Sequence, residues 1–304
     1  LKVSNEYADK IQLAKLSAWG QLFNLGIAEH KKMETASQET LPGLAKKSIE
    51  YYNLAVQCVP DSPSTYQNIA AVYATVKNYD EEIVYLNKVR DITKQPSLSR
   101  DIINVYLMKA DDAKAKGDNA TANAGYTKAI EELTAARKES PDDKDLLTLM
   151  IDIHIQLKRE KEALPFIQEA VLKDPSNKIL QNNLGLLLMQ TEDLSGAIEH
   201  LNKALEIDPS FEDALRNIGI AYMRLGDQMK KDAEAKADPK KKDKESDKSY
   251  LEKFKQAATY LERLVKIKSD DPNLWDALTT AYVNASMIKE AQKAAAEADK
   301  LRKK

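Results

Sequence analysis

NKILQNNLGLLLMQTEDLSGAIEHLNKALEIDPS, residues 177–210, is the stretch from which the fold of this chain can be predicted. It contains two apolar runs with helical spacing, separated by a short polar break at residues 191–193 and closed by Asp208-Pro209. Neither helix of such a pair can bury its apolar stripe alone, so the pair is expected to stack on copies of itself. Copies recur at steps of 34 residues, marked by Ala129, Ala163 and Ala197 and by Pro141, Pro175 and Pro209.

The repeat length and the residue types at its fixed positions resemble those of the tetratricopeptide repeat family. In residues 178–211 the positions that carry the resemblance are Leu184, Gly185, Leu188, Ala197, Leu201, Ala204 and Pro209. The resemblance implies an all-α fold, a right-handed superhelical α-solenoid of antiparallel helix pairs. It also implies a non-enzymatic scaffold or adaptor that binds a protein or peptide partner.

The resemblance extends along residues 1–304 as a single array. Residues 1–18 are expected to form an N-terminal helical cap or extension, because residues 4–36 hold no proline and keep helical apolar spacing. Seven repeats are predicted, at about 19–62, 63–96, 97–143, 144–177, 178–211, 212–271 and 272–304. The match is weaker in the second, where Glu82 stands at a position that usually holds a small residue.

A charged insertion at about residues 228–250 separates the two helices of the sixth repeat. It holds eight lysines and six acidic residues, and the interleaved acids largely cancel the local field. This favours a solvated linker or two exposed helix extensions that meet at Asp238-Pro239. The alternative is a docking arm for an acidic partner.

Composition excludes several classes of protein. The formal charge of −2, from 46 basic and 48 acidic residues, gives no global field that attracts nucleic acid. Cys58 is the one cysteine, so no internal disulfide is possible, and no apolar run approaches the length of a membrane span. Because the chain begins at Leu1, a signal segment could have been removed, and the location stays open between the cytoplasm and export to the periplasm.

The residues that carry most enzyme chemistry are scattered. His30, His154 and His200 belong to three different repeats, and none has a cysteine or paired carboxylates at metal-ligand spacing. His154 takes an aromatic core position and is interpreted as a packed neutral imidazole, and Cys58 as an inert core thiol. No phosphate loop or nucleophile motif is present, so neither an enzyme nor a cofactor or metal site is predicted.

In the family that this chain resembles, the first helices of the repeats line a concave groove that holds peptides or helices. The register of Gly185 and Gly219 predicts the partner-binding residues in this groove: Thr148, Asp152, Ile155, Asn182, Leu186, Met189, Arg216, Ile220 and Met223. The hypothesis is that Leu186, Met189, Ile220 and Met223 form the apolar centre of the contact. The alternative is that these side chains pack against the chain's own helices.

Two further functions stay open beside the scaffold. The array could mainly self-associate, so a homo-oligomer is possible, or it could be an accessory region of a larger enzyme or assembly complex. The family's clamp for C-terminal carboxylates is not expected, because the lysine and arginine positions of that clamp hold residues such as Thr148 and Asp213.

Overall fold

The computed structural model describes residues 2–236 and 248–303, and this part of the chain contains fourteen helices and no strand. The helices, in chain order, are α1 Lys2–Met33, α2 Leu41–Cys58, α3 Pro63–Thr75, α4 Tyr79–Thr93, α5 Ser97–Ala115, α6 Asn119–Glu139, α7 Lys144–Gln156, α8 Glu160–Lys173, α9 Lys178–Gln190, α10 Leu194–Ile207, α11 Glu212–Lys236, α12 Tyr250–Ile267, α13 Pro272–Asn284 and α14 Ile288–Arg302. The predicted all-α solenoid of antiparallel helix pairs is confirmed.

The chain divides into two compact units, which are unit 1 (Leu1–Leu146) and unit 2 (Leu147–Lys304). In unit 1 the packed pairs are α1 with α2, α3 with α4, and α5 with α6. In unit 2 they are α9 with α10, α11 with α12, and α13 with α14, and each pair also packs on the next. Of the predicted charged insertion, residues 228–236 end α11, whereas residues 237–247 lie outside the described residues.

The turn between the two helices of a pair has a common geometry. In five such turns the residue just before the second helix's N-cap has a positive φ, and these residues are Lys77, Gly117, Lys158, Glu192 and Ser286. The left-handed conformation ends the first helix abruptly. In three of the turns the following Asn78, Asp118 or Asp193 then caps the second helix by accepting a hydrogen bond from a backbone N–H.

The third pair is longer than the others. Helices α5 and α6 contain 19 and 21 residues, whereas α3 and α4 contain 13 and 15. The two long helices are joined by a turn at residues 116–118, so the extra residues of this repeat are helical. The repeat at residues 97–143 exceeds the 34-residue unit by 13 residues, which corresponds to nearly two extra turns in each helix.

Small residues let the helices of a pair approach closely. Second helices place a buried alanine in the contact at Ala163, Ala197, Ala257 and Ala291. The corresponding residue of α4 is Glu82, which is also buried, and its Oε2 has no hydrogen-bond partner. Burial raises the pKa of the Glu82 carboxyl. The residue at which the second repeat departs from the family pattern therefore also has a buried carboxylate oxygen without a hydrogen-bond partner in the structure.

We expect Glu82→Gln to raise the free energy of unfolding at pH 7 by about 1 kcal/mol, because it removes a buried charge whose Oε2 has no hydrogen-bond partner. The folded pKa of Glu82 lies above the unfolded value, so ionisation costs stability at neutral pH and protonation relieves the cost. The gain should therefore disappear as the pH falls below 4.5, the ordinary value for this group. Urea unfolding of the natural chain and of the Glu82→Gln variant, at pH 7 and at a pH below 4.5, measures this difference in stability. A variant that is less stable at pH 7, or a difference independent of pH, contradicts the assignment.

Candidate functional site

The predicted groove residues lie on three first helices of unit 2. On α7, Thr148, Asp152 and Ile155 are all exposed. Partial desolvation by neighbouring protein atoms raises the pKa of the Asp152 carboxyl. This part of the predicted surface is open to a partner.

On α9 the structure places two predicted residues in the seam between α9 and α11. The Nδ2 of Asn217 donates a hydrogen bond to Oδ1 of Asn182 at 2.9 Å, and Asn182 is buried. Met189 is 5% exposed and belongs to the hydrophobic core of unit 2. Asn182 and Met189 thus hold neighbouring repeats together, while Leu186 between them is half-buried.

Arg224 covers the other end of this seam. Its guanidinium donates to the backbone oxygen of Met189 at 3.0 Å and to Oε1 of Glu192 at 2.7 Å. Neither Asn217 nor Arg224 was among the predicted site residues. Asn217 directly follows Arg216, and Arg224 directly follows Met223. Polar side chains at these two positions of α11 are the sequence signal from which the contacts with α9 could have been predicted.

On α11, Ile220 is exposed, whereas Arg216 and Met223 are half-buried and Met223 packs against the core of unit 2. On α13, the corresponding Val283 is exposed. We call the accessible set the first-helix face of unit 2, and its members are Thr148, Asp152, Ile155, Leu186, Arg216, Ile220, Met223 and Val283. Its aliphatic side chains, Ile155, Ile220 and Val283, are large and in contact with water.

The electrostatics of the face are mixed. Asp276 of α13 forms an ion pair with Arg302 of α14, so that carboxylate is partly neutralised within the chain. Arg216 and Asp152 carry opposite charges on different helices of the face. The surface therefore combines aliphatic side chains with separate positive and negative groups rather than one sign of charge.

The histidines pack or bond within the fold. The ring of His154 stacks on Phe166 with centroids 5.5 Å apart and the residue is buried, so the expected packing of this side chain is confirmed. Burial lowers the pKa of the imidazole. His30 contacts Oγ1 of Thr75 at 3.2 Å, and Nδ1 of His200 contacts Oε1 of Gln181 at 2.8 Å. Cys58 is half-buried, so it is less enclosed than the core thiol that was expected.

Two features are absent from residues 2–236 and 248–303. No group of three His, Cys, Asp or Glu side chains comes together there as a metal site requires. None of the described helices combines the length and apolar character needed to cross a bilayer.

Two stretches of the chain match models of known repeat families. Residues 185–226 match a family model described as TPR repeat, and residues 120–184 match one described as Tetratricopeptide repeat. A stretch of 91 residues, 30% of this chain, is 30% identical to Protein FlbA of Caulobacter vibrioides (strain ATCC 19089 / CIP 103742 / CB 15). The match spans 15% of that protein's length.

Two solved structures that match parts of this protein share little sequence with it. A crystal structure of MamA protein is 17% identical, covers 66% of this chain and 92% of its own, and has a TM-score of 0.49. A crystal structure of YrrB, a TPR protein with an unusual peptide-binding site, is 18% identical, covers 74% of this chain and 96% of its own, and has a TM-score of 0.46.

Proposed function

Because this chain carries tetratricopeptide repeats, we propose that it is a protein-interaction scaffold whose first-helix face in unit 2 binds an extended or helical segment of a partner protein. The observation that carries the proposal is the exposure of Ile155, Ile220 and Val283 on successive or alternate first helices. Large aliphatic side chains in water lose that contact when a partner covers them, which favours association.

The surroundings of these side chains support a specific contact rather than simple stickiness. Asp152 and Arg216 give the face one acidic and one basic group beside the aliphatic positions. A partner segment with apolar anchors and complementary charges would satisfy both, and the charges would fix its direction. Leu186 and Met223 are half-buried and supply adaptable apolar surface at the base of the first-helix face.

Asn182 and Met189 keep a different role in the proposal. Because they are buried in the α9–α11 seam, they shape the floor of the site by fixing the spacing of the two helices. The remaining predicted residues, Thr148, Asp152, Ile155, Leu186, Arg216, Ile220 and Met223, are proposed as direct contacts. The proposed function involves no catalytic step and no cofactor.

The test begins with a displayed library of random peptides selected on the full chain. We expect Ile220→Ser to weaken the selected peptides by about tenfold or more, because a central apolar anchor is lost. Affinity is measured by fluorescence anisotropy with a labelled peptide. Ile220 and Ile267 are 43% and 44% exposed, and Ile267 lies on the second helix α12. Ile267→Ser is therefore a matched control that should change the affinity by less than about twofold. Equal effects of the two variants, or none from Ile220→Ser, would count against the first-helix face.

A further inference from the structure

The first helix of unit 1 extends well past its partner. Helix α1 has 32 residues and α2 has 18, and they run antiparallel, so the first turns of α1 project beyond the pair. Every residue from 6 to 17 is exposed. Several of these are large and apolar, which is unusual for exposed turns of a helix.

One side of α1 carries a regular apolar stripe. The α1 stripe consists of Tyr7, Ile11, Ala14, Ala18, Leu22 and Leu25, spaced by three or four residues and confined to roughly 80° of the helix surface. Tyr7, Ile11 and Leu25 are exposed, and Ala18 and Leu22 are half-buried. The stripe therefore runs from the projecting turns onto the part of α1 that packs on α2, without being covered at either end.

The order of side chains in the stripe is nearly the same in both directions. Two large residues are followed by two alanines and then by two large residues. If two copies of α1 cross antiparallel about residue 16, Tyr7 lies opposite Leu25, Ile11 opposite Leu22, and Ala14 opposite Ala18. Small residues then meet at the centre, where the backbones approach most closely, and large ones close the two ends. A pattern that is complementary to itself is what a two-fold contact between identical chains requires.

The charges on α1 select the same arrangement. Glu6, Asp9, Lys10 and Lys15 all lie in its first half, and Glu6 pairs with Lys10 at 2.8 Å. Residues 16–28 contain no charged side chain. An antiparallel contact therefore sets the charged half of each copy against the uncharged half of the other. A parallel contact would instead bring Lys10 level with Lys10, which is unfavourable, whereas Lys15 lies near the crossing point and is close to its own copy in either orientation.

We propose that the α1 stripe is a self-association surface, and that it binds the α1 stripe of a second copy of this chain in antiparallel orientation. The paired segment from residue 7 to residue 25 is about 27 Å long at 1.5 Å per residue. A contact of that size between two single helices is typical of a weak dimer that depends on concentration. This surface consists of residues of unit 1 and shares none with the first-helix face of unit 2.

The test is sedimentation velocity of the full chain between about 1 and 200 μM, with dimer formation expected at the upper end. Tyr7→Lys should weaken the dimer by about tenfold or more, because an ammonium group would be buried against Leu25. Leu25→Glu alone should do the same. Combined in one chain, the two changes should restore most of the association, because the antiparallel register puts the new positive group of each copy beside the new negative group of the other.

Leu13→Lys is the matched control. Leu13 is 66% exposed and Tyr7 is 65% exposed, but Leu13 lies roughly 140° around the helix from the stripe. This variant should leave the dimer unchanged, as should Ile220→Ser, so failure of the dimer and failure of the peptide site are told apart. A chain that stays monomeric throughout, a dimer that Tyr7→Lys leaves intact, or a combined variant that does not recover would overturn the proposal. Because Tyr7 sits on a projecting turn, its replacement does not threaten the fold, which circular dichroism verifies.

Discussion

Leu201→Ala is expected to lower the free energy of unfolding of unit 2 by about 3–4 kcal/mol, within the range typical of buried leucines. Leu201 is wholly buried in the core of this unit, and its side chain lies directly against the backbone of Gly185. The cost of a cavity depends on whether neighbours can move into it. Gly185 has no side chain to move, so much of the space left by the leucine should remain empty.

Urea unfolding measures this change, and the two tryptophans allow the units to be followed separately. Trp19 lies in unit 1 and Trp275 in unit 2. In a Trp19→Phe background the fluorescence therefore reports unit 2 alone. Leu172→Ala is the control, because Leu172 is 82% exposed and its truncation should cost less than about 0.5 kcal/mol. Equal losses for the two variants would contradict the packing described for Leu201.

A second substitution tests the same contact from its other side. A Cβ atom added to Gly185 would lie 2.7 Å from Cγ of Leu201, so Gly185→Ala should destabilise the natural chain. In the Leu201→Ala background the same methyl group would enter the cavity and recover part of the lost stability. The two effects should therefore differ in sign, as expected of residues in direct contact.

Gly26→Ala is expected to lower the free energy of unfolding of unit 1 by about 2–3 kcal/mol, because it overpacks a rigid site. The added Cβ would lie 2.5–2.8 Å from three ring atoms of Tyr52. That ring is wholly buried, stacks obliquely on Phe23, and donates a hydrogen bond to Asn68, so it has little room to shift. The loss should appear in the fluorescence of Trp19 when Trp275 is replaced by phenylalanine.

Gly20 provides the comparison within the same helix. A Cβ atom at Gly20 meets no other atom within 4 Å. Gly20→Ala should therefore stabilise unit 1 by up to about 1 kcal/mol, since alanine is the better helix former. If both alanines stabilise unit 1, the close approach of α1 and α2 at Gly26 is wrong.

The close contacts of the helix pairs are predictable from single residues. Gly26, Gly185 and Gly219 mark positions where only a hydrogen atom fits, and the structure places a buried Tyr52, Leu201 or Leu261 against them. Such contacts form where the backbones of the two helices approach closely, and a close approach requires a small residue. The positions of these small residues in the sequence therefore predict the close contacts of the helix pairs.

The accessible surface is less predictable, because it depends on what the next repeat contributes. Family register alone does not separate Met189 from Met223, although Met189 is buried and Met223 is half-buried. At the end of α9, the guanidinium of Arg224 from the next repeat bonds to the backbone oxygen of Met189 and to Glu192. A side chain of that length at the matching position of α13 would be needed to cover Met223 equally, and Asn284 is shorter. Contacts between specific side chains of adjacent repeats thus decide which predicted residues a partner can reach.

The long pair formed by α5 and α6 shows how such a chain can change in length during evolution. Both helices of this pair are longer than those of the preceding pair by a similar number of residues, and α5 packs on α6. The spacing to the preceding pair does not have to change when growth occurs at the turn near Gly117. Insertions between the two helices of a repeat are therefore nearly neutral for the rest of the array, whereas an insertion between repeats would alter how successive pairs stack. The same turn is a natural position for a reporter peptide or a fluorescent label.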